Sequence, residues 1–186
     1  YNQNFFEHMT GELLAAGVAV LRVNNRGHDL MYNSPAGRLG AAFEGMDDSR
    51  RDWKAWNDFA AAQGFGRICV WGHSLGAVKS IYYQAKEQDA RVTRMIASSP
   101  PRFSYSTYLG MDTGGKFQTT FQQAQAKVAA GEGDSLIAIS VPTNAILAAR
   151  TVVEKYGPAE GYDFMRHLPA ITGIPALLTL GGEEGK

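Results

Sequence analysis

The chain has 186 residues, 45% of them apolar and 19% charged, a composition that can bury a core and does not suit a disordered segment. Eighteen basic and eighteen acidic side chains cancel, which removes any bulk attraction toward nucleic acid or an anionic membrane surface. No apolar run approaches the length of about eighteen residues that a membrane span needs, and the single cysteine, Cys69, excludes an internal disulfide and a thiol-rich metal site.

Residues 2–16 read as a helix capped by Asn2 or Asn4, with Phe5, Phe6, Met9, Leu13 and Ala16 on its buried face and Gly17 ending it. The near-continuous apolar run 18–23 predicts a parallel strand buried on both faces. Residues 24–45, rich in Gly, Asn, Ser and Pro, read as a long loop. Asp47 and Asp48 mark a helix start. That helix runs to about Gln63, with Trp53, Trp56, Phe59 and Ala60 inward, and Gly64-Phe65-Gly66 breaks it. Residues 67–71 form the next strand, which places Cys69 in the core as a buried, inert thiol.

At residues 72–76 that strand runs into Gly-His-Ser-Leu-Gly, and downstream the apolar residues Leu75, Val78, Ile81, Tyr82 and Ala85 follow one helical stripe. Strand, sharp turn and helix with a serine at the apex is the setting of a nucleophile elbow. Ser74 is the candidate nucleophile. Gly72 and Gly76 keep β-carbons out of the place where strand and helix nearly touch. The backbone N–H of Leu75, in the first helical turn, has no partner inside the helix and is the candidate oxyanion donor.

A further strand is expected over 91–98, stopped by Pro100-Pro101. Residues 102–172 read as helical and loop-rich without clear strands, with helices over 116–130, 143–155 and, briefly, 159–167. They are too long for a simple crossover. A last strand covers 174–180. The alternation defines an α/β protein with a doubly wound, mostly parallel sheet. Its parts are a first core region over 1–101, a helical cap insertion over 102–172, and a last strand with its acid-bearing turn over 173–186.

Asn25-Arg26-Gly27-His28 after the first strand, Gly72 to Gly76 at the elbow, and Ile174 to Gly181 at the last strand give the chain a resemblance to the α/β-hydrolase family, in its esterase, lipase and serine-peptidase-like branch. The resemblance covers nearly the whole chain and implies a serine, acid and histidine triad in that chain order. The family's strands before the first one here and its histidine-bearing segment after the last are expected outside this chain, so the fold is expected to be incomplete in it. The family's acid position falls on Glu184, with Glu183 beside it. His28, on a loop at the C-terminal edge of the sheet, is a candidate substrate-lining residue. His73 points away from its neighbour at the elbow, His8 is a surface residue, and His167 lies before the last strand, in the wrong place for the triad base.

The implied activity is hydrolysis of a carboxylic ester or related acyl bond of a small molecule through an acyl-enzyme on Ser74, with no metal and no organic cofactor. Acyl transfer to an alcohol and ligand binding without turnover are the alternatives. Thioester, lactone and amide substrates remain open beside the ester, which is favoured because its leaving group is the least demanding, and oligomeric state is open. The lone cysteine and lack of a visible leader are compatible with a cytoplasmic protein. Residues 110–116 imitate a phosphate-binding loop, but Phe117 stands where a hydroxyl would hold Mg²⁺. Tyr105, Tyr108, Phe117 and Phe121 form either an acyl pocket or, more simply, the cap's own core.

Overall fold

The computed structural model describes residues 3–35 and 37–182. In chain order the elements are α1 (Gln3–Ala15), β1 (Tyr32–Ser34), β2 (Gly37–Leu39), α2 (Met46–Ala62), β3 (Ile68–His73), α3 (Leu75–Glu87), β4 (Val92–Ser98), α4 (Tyr105–Met111), α5 (Lys116–Ala129), β5 (Leu136–Ile139), β6 (Ala145–Ala148), α6 (Ala149–Tyr156) and β7 (Ala176–Thr179), with two 3-10 turns, Phe164–Arg166 and Leu168–Ala170, before β7. The main sheet is parallel with order β3-β4-β7. Two antiparallel hairpins, β1-β2 and β5-β6, stand apart from it.

The sheet is covered on one face by α3, with α2 packed behind. Val70, Met95 and Ala97 meet Ala77, Val78, Ile81 and Tyr83 in one apolar cluster that also takes in Trp53, Tyr162 and Phe164. The other face carries Cys69, Trp71 and His73, paired in register with Arg94, Ile96 and Ser98. There Cys69 is exposed. Its expected place in a buried strand is therefore corrected: alternation along β3 turns Val70 to the helices and Cys69 away from them. The Phe6 and His73 rings meet edge to face with centroids 6.0 Å apart, which brings α1 to this second face.

Several sequence-based expectations need correction. Residues 18–23 form no strand and are half-buried to exposed, because β3 pairs only with β4 and, among the described residues, nothing lies beside 18–23 to complete a ladder. Asn4 lies inside α1 and is no cap, and Asn2 lies outside the described residues. Gly17 does end α1: it sits at φ +77°, Val18 donates to Leu13 O at 2.9 Å and Gly17 to Leu14 O at 3.0 Å, the paired bonds of a Schellman cap. Ala16 is exposed. The loop 24–45 contains the β1-β2 hairpin. On α2, Trp53 and Asn57 face inward while Phe59 is half exposed.

Strands also occur where 102–172 read as helix and loop. Residues 145–148 pair with β5 instead of opening the helix expected over 143–155, since the β5-β6 pair buries Ile137, Ile139 and Leu147 together. Tertiary packing outweighs the local helical pattern. The helix over 159–167 is reduced to the first 3-10 turn, capped by Asp163 through Met165 N at 3.1 Å. Phe117, Phe121, Ala124, Ile137, Leu147, Val152 and Tyr156 make a second apolar cluster, and Phe103 packs against both clusters.

The turn from α3 to β4 is held by Asp89. Its carboxylate accepts from Tyr83 Oη at 2.5 Å, from Arg91 N at 3.0 Å and from the Arg91 guanidinium at 2.6 to 2.8 Å. The Arg91 hydrogen bonds hold the Asp89 pKa far below the ordinary carboxylate range. A depressed folded-state pKa stabilises the fold above the unfolded value of about 4, and that stability is lost as pH falls through and below it. Stability measured by equilibrium unfolding is expected to fall between about pH 5 and pH 2, and Asp89→Asn should flatten that acid limb while lowering stability at pH 7.

Candidate active site

A single residue, Ser74, joins β3 to α3. With no other residue to reverse the chain, it takes φ 53°, ψ −128°, a region that costs a non-glycine residue of order 1–3 kcal/mol. Its N–H donates to Ser98 O at 2.8 Å, which ties the junction to the end of β4. Its carbonyl accepts from Ala77 N at 2.9 Å and starts the helix. Its side chain makes no capping bond, so the half-buried hydroxyl is not committed to the helix end.

Space at the junction falls unequally on the two glycines. A β-carbon on Gly72 would lie 2.3 Å from Gly76 O and 2.6 Å from Ala77 Cα, both backbone atoms that cannot swing aside. A β-carbon on Gly76 meets nothing within 4 Å among the described residues. The expectation that both glycines prevent a clash is thus corrected: Gly72 does so, while Gly76 is the backbone it must clear. Leu75 opens a 13-residue helix. Its N–H is one of the first-turn donors that a helix cannot satisfy, at the positive end of the helix dipole.

The register places the rest of the sheet's C-terminal edge beside Ser74. His73 pairs with Ser98 and Ser98 with Thr179, and Ser99 N donates to Thr179 O at 2.7 Å. The chain therefore leaves β7 at the same edge as the serine, two strand spacings or about 10 Å across. Glu183 and Glu184 lie outside the described residues.

The hydrogen bonds of His28 and His167 go to groups other than Ser74. His28 Nδ1 pairs with Asp29 at 2.8 Å and its ring stacks on Tyr32 at 4.7 Å. His167 Nε2 bonds Gly161 O at 2.8 Å and its ring meets Tyr82 edge-on at 5.0 Å. His8 is exposed on α1. The loop that carries His28 is fastened to α2, because Arg26 pairs with Asp52 at 2.8 Å and with Asp48 at 3.2 Å.

The imitation of a phosphate loop is closed from within. Asp112 accepts from Gln118 N at 3.0 Å, and hydrogen bonds from the first backbone N–H groups of α5 hold its carboxyl below the usual range. The protein's own anion fills that helix end. Phe117 and Phe121 belong to the second cluster, and the partly buried Tyr105 and Tyr108 pack against it, with ring centroids 5.3 to 6.2 Å apart. Burial pushes the Tyr108 phenol up to about 12.

Sequence reasoning missed one group. Glu44, Lys79 and Lys155 are all buried and joined: Glu44 contacts Lys79 Nζ through one carboxylate oxygen and Lys155 Nζ at 3.0 Å through the other. The available signal was Lys79, a charge beside Val78 within the apolar stripe of the elbow helix.

A serine at the apex of a strand-to-helix junction, at the C-terminal edge of a parallel sheet, is an α/β-hydrolase arrangement. Residues 2–156 match the family described as serine aminopeptidase, S33, and the chain belongs to that family, within the α/β-hydrolases. Searches of curated proteins and of solved structures returned no match. The family makes the chain a serine-hydrolase-like protein. Among the described residues no helix is long and apolar enough to cross a membrane.

Three substitutions probe the junction. Gly72→Ala is expected to cost about 3 kcal/mol or more, whereas Gly76→Ala, in a helix, should be neutral or stabilising by up to about 1 kcal/mol. Ser74→Gly should raise stability by about 1 kcal/mol by relieving the positive φ. Chemical denaturation of the three variants beside the parent checks the order.

Proposed function

We propose that this chain is a serine hydrolase that cleaves a carboxylic ester or related acyl bond, with Ser74 as nucleophile. The observation that carries the reading is the junction itself: a serine held at positive φ, with a hydroxyl that caps nothing, one residue before the N-terminus of a buried helix. Strain of that kind is retained where a side chain must be presented.

In the proposed reaction Ser74 Oγ attacks the acyl carbonyl while a histidine takes its proton. The oxyanion forms against the Leu75 N–H, where the first-turn dipole favours negative charge. The histidine then protonates the leaving group, and water opens the acyl-enzyme and regenerates Ser74. The acid that orients the histidine is assigned to Glu184, which follows β7 in the sequence. Gly72 and Gly76 form the elbow, and His28 lines the substrate side of the edge. Residues 102–172 serve as the cap over a doubly wound core, and the substrate is a small acyl compound. None of these steps calls for a metal or organic cofactor. The family's description extends the candidate bonds to the peptide amide.

A second reading, binding without turnover, draws on one observation: the hydrogen bonds of His28 and His167 go to Asp29 and Gly161, not to Ser74. Intact-mass measurement of the purified natural gene product before and after treatment with a fluorophosphonate separates the two. One adduct on the parent and none on Ser74→Ala is the result expected of the hydrolase. No adduct on either protein overturns it in favour of the binding reading.

A further inference from the structure

Two apolar clusters divide this chain, one built on α2, α3 and the sheet, the other on α4, α5, α6 and the β5-β6 hairpin. Segment 42–46 runs between them and is bonded to the second unit almost residue by residue. Ala42 O accepts from Ala148 N at 2.8 Å, and Ala42 and Phe43 pack on Ala148. Glu44 O accepts from Thr151 Oγ1 at 3.4 Å, and Met46 N donates to Glu154 Oε1 at 2.7 Å. Thr151, Glu154 and Lys155 are spaced so that they share one face of α6.

The same segment reaches the elbow helix through the Glu44 carboxylate. One oxygen contacts Lys79 of α3, the other Lys155 of α6, and the three side chains are only 2%, 7% and 8% exposed. The loop bearing Arg26-Gly27-His28 presses on the group from a third side: a β-carbon on Gly27 would fall 2.1 Å from Glu44 Oε2 and 2.8 Å from Lys79 Nζ. The Lys155 ammonium also lies 5.3 Å from the Phe103 ring centroid and 5.7 Å from that of Tyr162.

Two ammonium groups share one carboxylate in a dry place, where desolvation pushes the Lys155 pKa down. Packing alone does not account for such a group, since apolar side chains of similar volume serve stability as well or better. Ion pairs are directional, and this set joins two helices that belong to different clusters. We propose that Glu44 is a positioning residue: its carboxylate sets α6 and the unit around it against α3, the helix whose first turn carries Ser74 and Leu75. Loss of Glu44 then releases both helices, whereas loss of Lys155 releases α6 alone.

Hydrogen exchange on the full chain tests the coupling without reference to activity. In Glu44→Gln, exchange over 149–156 and 75–87 should rise about tenfold more than over 68–73 and 92–98; in Lys155→Met the excess should be confined to 149–156. If Glu44→Gln does not fold, Lys155→Met and the apolar triple variant Glu44→Leu/Lys79→Met/Lys155→Met decide. A triple variant that regains thermal stability yet keeps fast exchange over 149–156 supports the proposal. Recovery of both stability and parental exchange, an even rise over all segments, or unchanged exchange in Lys155→Met overturns it.

The link to Ser74 rests on the proposed function. There Glu44→Gln should lower the maximal rate of fluorophosphonate labelling about tenfold with little change in probe affinity. An unlabelled parent protein sinks the serine-nucleophile reading while the exchange data still decide the coupling. A labelled parent with equal rates in both proteins overturns the positioning of Ser74 by Glu44.

Discussion

Between β3 and α3 there is room for one residue, and most of the site follows from that limit. The helix must start immediately after the strand so that its Ala77, Val78 and Ile81 can reach the sheet. Strand and helix backbones then come so close at Gly72 that no β-carbon fits between them. The single connecting residue must take positive φ, and the hydrogen bond from its N–H to Ser98 O holds it there. Fixed in this way, the serine side chain makes no bond to the helix end, and the first-turn N–H groups that the helix cannot satisfy follow directly after it. Strain, close approach and an exposed dipole are one constraint expressed three times.

The parallel register extends the constraint across the sheet. Because His73, Ser98 and Thr179 lie level, the ends of all three strands share one edge with Ser74. That edge is where ligands bind in open α/β sheets. A one-residue slip of β7 would exchange the faces on which Leu177 and Leu178 lie and shift the chain after it along the edge. The α3 side of this sheet is packed, while the face bearing Cys69 and Trp71 is met by α1 near His73.

A different kind of contact holds the second cluster to the first. Apolar packing within each cluster is non-directional, but the seam at 42–46 is made of main-chain bonds and of one carboxylate with two lysines. Such contacts have little tolerance for altered geometry, because every displaced partner leaves a buried polar group unsatisfied. The seam therefore specifies how the units sit in a way that the aromatic stacks of α4 and α5 cannot.

By itself the sequence determined the α/β class, the positions of α1, α2, α3, α5, β3, β4 and β7 to within a few residues, and Ser74 as the apex of the junction. Those features rest on local causes: hydrophobic period, Gly and Pro punctuation, and a serine set between a strand-like run and a helical stripe with glycines on either side. Tertiary structure alone decided the rest. Residues 18–23 have strand composition but no ladder, since a strand needs a neighbour that composition does not supply. Residues 145–148 pair with β5 despite a helical pattern, and Cys69 faces outward because the helices that bury β3 cover one side. Gly72 and Gly76 look equivalent in sequence, yet only the folded junction makes one of them indispensable. Glu44, Lys79 and Lys155 lie far apart in the chain, and a buried charge is legible only when the partner that allows its burial is in place.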